Sequence, residues 1–264
     1  MTRYDSADFG FLTIGHYNLT PVTNKLEDSI GRPAVLSTPF GVTAPEYLAG
    51  ILTAYELTGQ DGWYDDATNS INAALVDLAA GENLMLLAPY GNTAPMVTSG
   101  LGLTVIATDG VLKTAYKRGN TVGDLNRASF EVAVSGQVDQ HAKLVAELTA
   151  RGASGTTAAN FLDFDGAAGT VGGRIYLVVT EIEWGTTPCT KLVIALQDGD
   201  TPPTFADHTT FTDIVPATTP DGSGTSEMKA LAAAAIDRYT CVTWTWTGAH
   251  ADESVTFAVV VVYD

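Results

Sequence analysis

The sequence predicts a mainly β protein: a sandwich or barrel domain with one or two helices, followed by a second β-sandwich domain. Two observations predict it. Residues 238–264, "RYTCVTWTWTGAHADESVTFAVVVVYD", place Val242, Trp244 and Trp246 on one face of a period-two run and Cys241, Thr243, Thr245 and Thr247 on the other. After a loop, Val255, Phe257, Val259, Val261 and Tyr263 share one face, and from Ala258 onward the run is apolar on both faces. That pattern belongs to a strand inside a sheet with packing on each side. The second observation is spacing: short β-prone runs at 84–88, 101–108, 111–117 and 129–136 alternate with Gly, Asn and Asp turns.

Taken in order, residues 1–30 read as an arm followed by strands, with "FGFLTIGHYNL" apolar and punctuated by glycine. The next segment, "GRPAVLSTPFGVTAPEYLAG", has three prolines and no settled period, so it reads as a long loop over Gly31 to Gly50. Its Val35, Leu36, Phe40 and Tyr47 want a partner surface. "ILTAYELTGQDGWY" gives a strand and turn, and a helix follows at about 66–80. Asp65 or Asp66 is its N-cap, Ile71, Ala74, Leu75 and Leu78 form its apolar face, and Gly81 its C-cap.

A second helix is allowed at Gln137 to Ala150, where Val138, His141, Leu144, Val145 and Leu148 share a helical face. Residues 151–173 are small and Gly-rich and read as a linker or long crossover. Strands resume at "RIYLVVTEIEW", "CTKLVIALQD" and "TFADHTTFTDIV". "SEMKALAAAAIDRY", residues 226–239, has strong helix propensity in a place where a β protein puts an edge strand or a loop. The domains are expected to divide at 1–150 and 151–264.

With 264 residues the chain can bury roughly three quarters of the surface its unfolded form exposes, and needs no staple. Cys189 and Cys241 are too few for a disulfide framework and read as buried thiols of a protein that folds in a cytoplasm, with no secretory leader expected. A bridge between them stays open should they lie on paired strands. Thirty acidic against thirteen basic residues, a formal charge of −17, argue against gripping nucleic acid by its phosphates. No apolar run approaches the ~20 residues that a membrane span requires, so no membrane partner is expected.

Chemistry is hard to place. His16, His141, His208 and His250 lie apart from one another and from the cysteines, so no metal site is expected. His208 and His250 read as solvated loop residues. Asp65, Asp66 and the pair Asp163 and Asp165 have carboxylates suited to calcium but lack an EF-hand ligand run, and helix capping and loop solvation account for them. No nucleophile elbow, phosphate loop or dinucleotide fingerprint is present, so neither catalytic residues nor a cofactor is expected, and the chain reads as a non-enzyme. Trp63, Trp184, Trp244 and Trp246 fit either core packing or a sugar-stacking platform.

Four stretches resemble the tail tube, or major tail, proteins of long-tailed phages: "FGFLTIGHYNL" with "NKLEDSIG", "YELTGQDGWYDDATNSINAAL", "GGRIYLVVTEIEW" with "TKLVIALQD", and "IDRYTCVTWTWTG" with "SVTFAVVVVYD". The Gly31 to Gly50 loop and the Ala-rich 229–236 segment depart from that pattern. The resemblance implies a virion protein, assembled in the host cytoplasm, whose β domains close into rings of six subunits, or three if the halves are tandem copies. Stacked rings would form a tube that DNA crosses during ejection. It also implies contacts with further copies, with tail-tip and terminator proteins, and with passing double-stranded DNA that is not specifically bound. An acidic lumen would keep phosphates from sticking. Inter-subunit contacts are expected from Phe9 and Phe11 in the arm and from Val35, Leu36, Phe40 and Tyr47 in the loop. A capsid decoration or fibre protein and a carbohydrate-binding module are the rival readings.

Overall fold

The computed structural model describes residues 11–23, 25–31, 34–36, 47–49, 54–63, 72–74, 85–87, 103–104, 111–119, 127–134, 140–164, 173–187, 189–231, 237–248 and 252–263. The first strands are β1 (Thr13–Ile14), β2 (Tyr17–Asn18), β3 (Lys25–Gly31), β4 (Ala34–Leu36), β5 (Tyr47–Ala49) and β6 (Ala54–Trp63). Next come β7 (Leu86–Leu87), β8 (Leu103–Thr104), β9 (Val111–Gly119), β10 (Arg127–Val134), β11 (Gln140–Arg151), β12 (Gly155–Thr156) and β13 (Leu162–Asp163). The last are β14 (Gly173–Glu183), β15 (Lys191–Thr201), β16 (Thr204–Thr210), β17 (Ser223–Leu231), β18 (Tyr239–Thr247) and β19 (Ser254–Tyr263). The fold is mainly β, with antiparallel sheets, as its alternating runs predict.

Two compact units share the chain. Unit 1 comprises Met1–Thr20, Met85–Ala107 and Asp139–Asp264, and unit 2 comprises Pro21–Leu84 and Thr108–Val138. The boundary expected at 150/151 falls at the end of β11, which belongs to unit 1 and pairs with β19.

Unit 1 is organised around β19. One sheet runs β17, β14, β19, β11, β8, so the last strand is the central one, paired to β14 on one edge and β11 on the other. Val255, Phe257, Val259 and Val261 on one face, and Ala258 and Val260 on the other, are all at most 1% exposed. Fully burying each Val or Phe contributes about 1.5–3 kcal/mol, an upper figure because a real unfolded chain is already partly collapsed. A second sheet runs β12, β18, β15, β16, with β13 also on β18. Its Leu192, Ile194, Leu196, Val242 and Trp246 join the first sheet's Ile175, Leu177 and Val179 in one core. Aromatic edges lock the core: Trp184 meets Trp246 at 5.6 Å, and Trp244 meets Phe257 at 5.8 Å, both near perpendicular.

Two expectations are corrected here, the first and the third below, and one open reading is resolved. Residues 140–151 form strand β11, not a helix, and the reason lies in two register shifts, at Leu144/Ala146 and Ala146/Thr149. Extra residues break the alternation, so Leu144, Val145 and Ala146 are all buried in succession and the apolar spacing imitates a helix. The bulged backbone is held by Arg151, whose guanidinium donates to the carbonyls of Glu147 (2.8 Å), Thr149 (2.8 Å) and Phe257 (2.7 Å) and lies over the Phe257 ring at 4.1 Å. Burial lowers its pKa to about 10, so it stays charged at neutral pH.

Second, the helix-prone stretch begins as edge strand β17, in ladder with β14. Ladder pairing with β14, together with the burial of Leu231, outweighs the propensity of Met228 to Leu231 for helix. Third, the Gly-rich segment after Arg151 is not a free linker over its described part. It is pinned to β18 through β12 and β13, and by Arg238, which grips Asp163 in a bidentate pair at 2.7 Å for both bonds. Gly155 faces Trp244 so closely that a Cβ there would lie 2.5 Å from its ring.

Both cysteines are free and buried. Cys241 lies opposite Gln197, while Cys189 precedes the start of β15, so about six extended residues, roughly 20 Å, separate them along that strand. Burial pushes the Cys241 thiol up to about 11.

Unit 2 holds a four-stranded antiparallel sheet, β3, β6, β10, β9, and a two-stranded ribbon of β4 and β5. Of the helix expected at 66–80, residues 72–74 are helical and the others lie outside the described residues.

Replacing Phe257 with Ala is expected to cost about 3–5 kcal/mol in chemical denaturation, because it opens a cavity where the two sheets meet and removes the surface on which Arg151 stacks. Thr245→Ala, an exposed change on β18, is expected to cost under about 1 kcal/mol.

Candidate functional site

The side chains most suited to chemistry are committed to holding the fold. Asp198, on β15, accepts at one carboxylate oxygen from Nδ1 of His208 (3.1 Å) and from the backbone N–H of Asp237 (3.0 Å). Both side chains of this contact are only about a tenth exposed, at 10% and 11%. His208 is therefore a half-buried strand residue on β16, not the solvated turn residue that its polar neighbours suggest. Asp207 beside it accepts from Gln197 Nε2 at 2.7 Å. Burial and the carboxylates of Asp198 and Asp200 hold the Asp237 carboxyl above its usual range, with His208 pulling the other way.

Asp163, a candidate calcium ligand, is neutralised by Arg238, and Asp165 lies outside the described residues. Among the described residues, no group of three or more His, Cys, Asp or Glu is arranged to hold a metal ion. Trp184 and Trp246 are core residues at 2% and 3% exposure, and their indole N–H groups donate to the carbonyls of Thr219 and Gly152. Trp244 donates to Ala153 and packs on Phe257, so these three rings do not form an open platform. Trp63 ends β6.

The expected contact residues separate. Phe11 is buried in the unit 1 core at 3% exposure. Val35, Leu36 and Tyr47 fall on the β4–β5 ribbon, where Val35 pairs with Leu48 and Leu36 with Tyr47, so the expected loop is in part a hairpin-like ribbon. Phe9, Phe40 and His250 lie outside the described residues.

The surface that sequence reading missed is the four-stranded sheet of unit 2. Its ladders align Glu27 with Thr58 and Thr58 with Glu131, and align Phe130 with Gly59 and Gly59 with Leu26. By register, Glu27, Glu56 and Glu131 fall on one face together with Lys25 and Lys117, while Leu26, Ile30, Tyr55, Leu57, Phe130, Val132 and Val134 fall on the other together with Asp28, Lys113 and Arg118. Phe130 is 1% exposed and Glu131 is exposed, which identifies the inner and outer faces. The edge strands are β3 and β9, and among the described residues neither has a partner on its outer side. Alternation within "KLEDSIG", "AYELTGQDGW" and "RASFEVAV" is the signal that was available, but only the register puts the three glutamates together.

No family model matches the chain, and no curated protein matches it in sequence. Solved structures with some backbone likeness include a chain of the virion of a native gene transfer agent particle, at 13% identity and TM-score 0.38. That match covers 52% of this chain and 98% of the other. A chain from the tail of an empty gene transfer agent particle with C6 symmetry gives 12% identity and TM-score 0.36 over the same shares. The Dit (gp 19.1) protein of SPP1, described as a paradigm of the hub adsorption apparatus in phages infecting Gram-positive bacteria, gives 12% identity and TM-score 0.28. There the match covers 96% of this chain and 98% of that one. At these identities and TM-scores the likeness assigns neither a family nor a role.

The Asp237 environment makes a signed prediction. A carboxyl whose folded pKa is raised binds its proton more tightly in the folded state, so stability falls as pH rises through the window above the ordinary carboxylate value of ~4, and the deficit persists at neutral pH. Asp237→Asn is expected to raise the melting temperature at neutral pH, with the gain shrinking as the pH falls through that window. Thermal melts across pH check both the sign and the trend.

Proposed function

We propose that this chain is a structural protein of a phage tail that polymerises as stacked rings into the tail tube, lining the channel through which DNA is ejected. The observation that carries the reading is the unit 2 sheet, in which register puts Glu27, Glu56 and Glu131 on one face and whose edge strands β3 and β9 have no outer partner among the described residues. An open edge on an apolar-backed sheet is an aggregation hazard unless another strand covers it. A second copy of the same chain is the simplest cover, and repeated addition produces a ring or a filament.

The acidic face suits a channel wall. DNA phosphates within the Debye length of ~8–10 Å would be repelled by it, so a passing duplex would slide without being gripped. The net charge of −17 agrees with a surface that does not bind nucleic acid. The four sequence stretches that resemble tail tube proteins support the same reading, two of them from strands β3 and β6 of this sheet and the others from unit 1. Ring-to-ring contacts are assigned to the β4–β5 ribbon with Val35, Leu36 and Tyr47, and tail-tip and terminator proteins would cap the ends of the tube.

Negative-stain electron microscopy across a concentration series tests the reading. Hollow stacked rings are the expected result. A monodisperse small oligomer at every concentration would favour a capsid decoration protein instead.

A further inference from the structure

Strand β18 has a full partner on one edge and an irregular one on the other. Its run from Thr240 to Thr247, "TCVTWTWT", is built from β-branched and aromatic residues around one cysteine, with no charge, glycine or proline. We propose that residues 152–164 are an edge guard: a strap that occupies the outer edge of β18 and keeps this run from pairing with a strand of another chain. The proposal concerns unit 1 and does not rest on the tube reading.

Composition makes a guard necessary. An uncharged, β-prone segment of about six or seven residues without proline adds readily to other chains when its edge is free. The strands that end the two sheets of unit 1 on one side, β16 and β17, carry Asp207 and His208, and Glu227 and Lys229, and such charged side chains oppose strand addition. Between Thr240 and Thr247, β18 has no residue of that kind. Its partner β15 covers only one edge, over the whole length from Tyr239 to Thr247.

The strap covers the other edge with few ladder pairs. Gly155 and Thr156 pair with Trp244 and Thr243, and Leu162 and Asp163 pair with Thr240 and Tyr239. Elsewhere side-chain oxygens stand in for strand carbonyls: Ser154 Oγ accepts from the Trp246 N–H and Thr157 Oγ1 from the Val242 N–H, each at 2.8 Å. The Thr157 N–H donates in return to the Val242 carbonyl at 2.8 Å. Across the same edge, the indole N–H groups of Trp244 and Trp246 reach the carbonyls of Ala153 (2.9 Å) and Gly152 (2.8 Å). The strap is a poor template for a further strand, because its two short pairings are separated by the 3-10 turn Ala158–Asn160.

Removing the two hydroxyls tests the proposal. S154A with T157A leaves the Trp246 and Val242 N–H groups without these acceptors, and hydrogen exchange of those two amides is expected to quicken by about fivefold or more while the amides of β19 keep their protection. The same variant is expected to form thioflavin-binding fibrils at a protein concentration at least about threefold below wild type. A synthetic peptide of residues 152–164, added in excess, is expected to suppress those fibrils by reoccupying the edge. S154T with T157S keeps both hydroxyls and is expected to behave as wild type.

Quickened exchange at Val242 and Trp246 with no change in fibril formation would overturn the proposal. Unchanged exchange would overturn it too, since the hydroxyls would then not be what closes the edge. Protection lost throughout β19 as well would count against it in the same way, because the segment would then hold up the core and not guard an edge. Fibrils formed equally by S154T with T157S would contradict the role given to the hydroxyls.

Discussion

A strand with hydrogen-bonded neighbours on both edges and side chains packed on both faces has no position left for a polar residue. β19 meets that constraint with Val255, Phe257 and the run from Ala258 to Val261, none of them more than 1% exposed. Because β14 and β11 both build their ladders on it, the positions of Tyr176, Leu177 and Leu144 follow from its register. The second sheet inherits the same anchor through the contact of Trp244 with Phe257. Arg151 completes the arrangement by donating to carbonyls of β11 and β19 while stacking on Phe257, which ties the bulged strand to the anchor.

The sheet of unit 2 differs from that saturated core in what its register places on its faces. It has the same antiparallel construction, but its register brings Glu27, Glu56 and Glu131 from three strands onto one face, where Glu131 is exposed. The contrast separates two jobs within one chain. Unit 1 places its most β-prone residues in a closed interior, whereas in unit 2 the edge strands β3 and β9 have no outer partner among the described residues.

Much of unit 1 was legible because its strands are β-branched and aromatic runs bounded by turns: β14, β15, β18 and β19 stand where their residues say. β11 was not, since two register shifts convert period two into a spacing that a helix would also give. β17 was obscured by alanine-rich composition, which reports local preference and not the vacant edge of β14 that the segment fills. The acidic face of unit 2 stayed hidden for a different reason. Glu27, Glu56 and Glu131 are far apart in sequence, and which strands pair, and in which register, is set by the fold and not by any one strand's pattern. The same holds for the ties among Asp198, His208 and Asp237.

Hydrogen–deuterium exchange, compared between dilute and concentrated protein, tests the division between a closed core and an open sheet most directly. The account predicts that amides of β19 are strongly protected in both samples, while those of β3 and β9 gain protection only when the protein is concentrated. Unchanged exchange at both edges in assembled protein, or protection gained instead at β16 and β17, would contradict it.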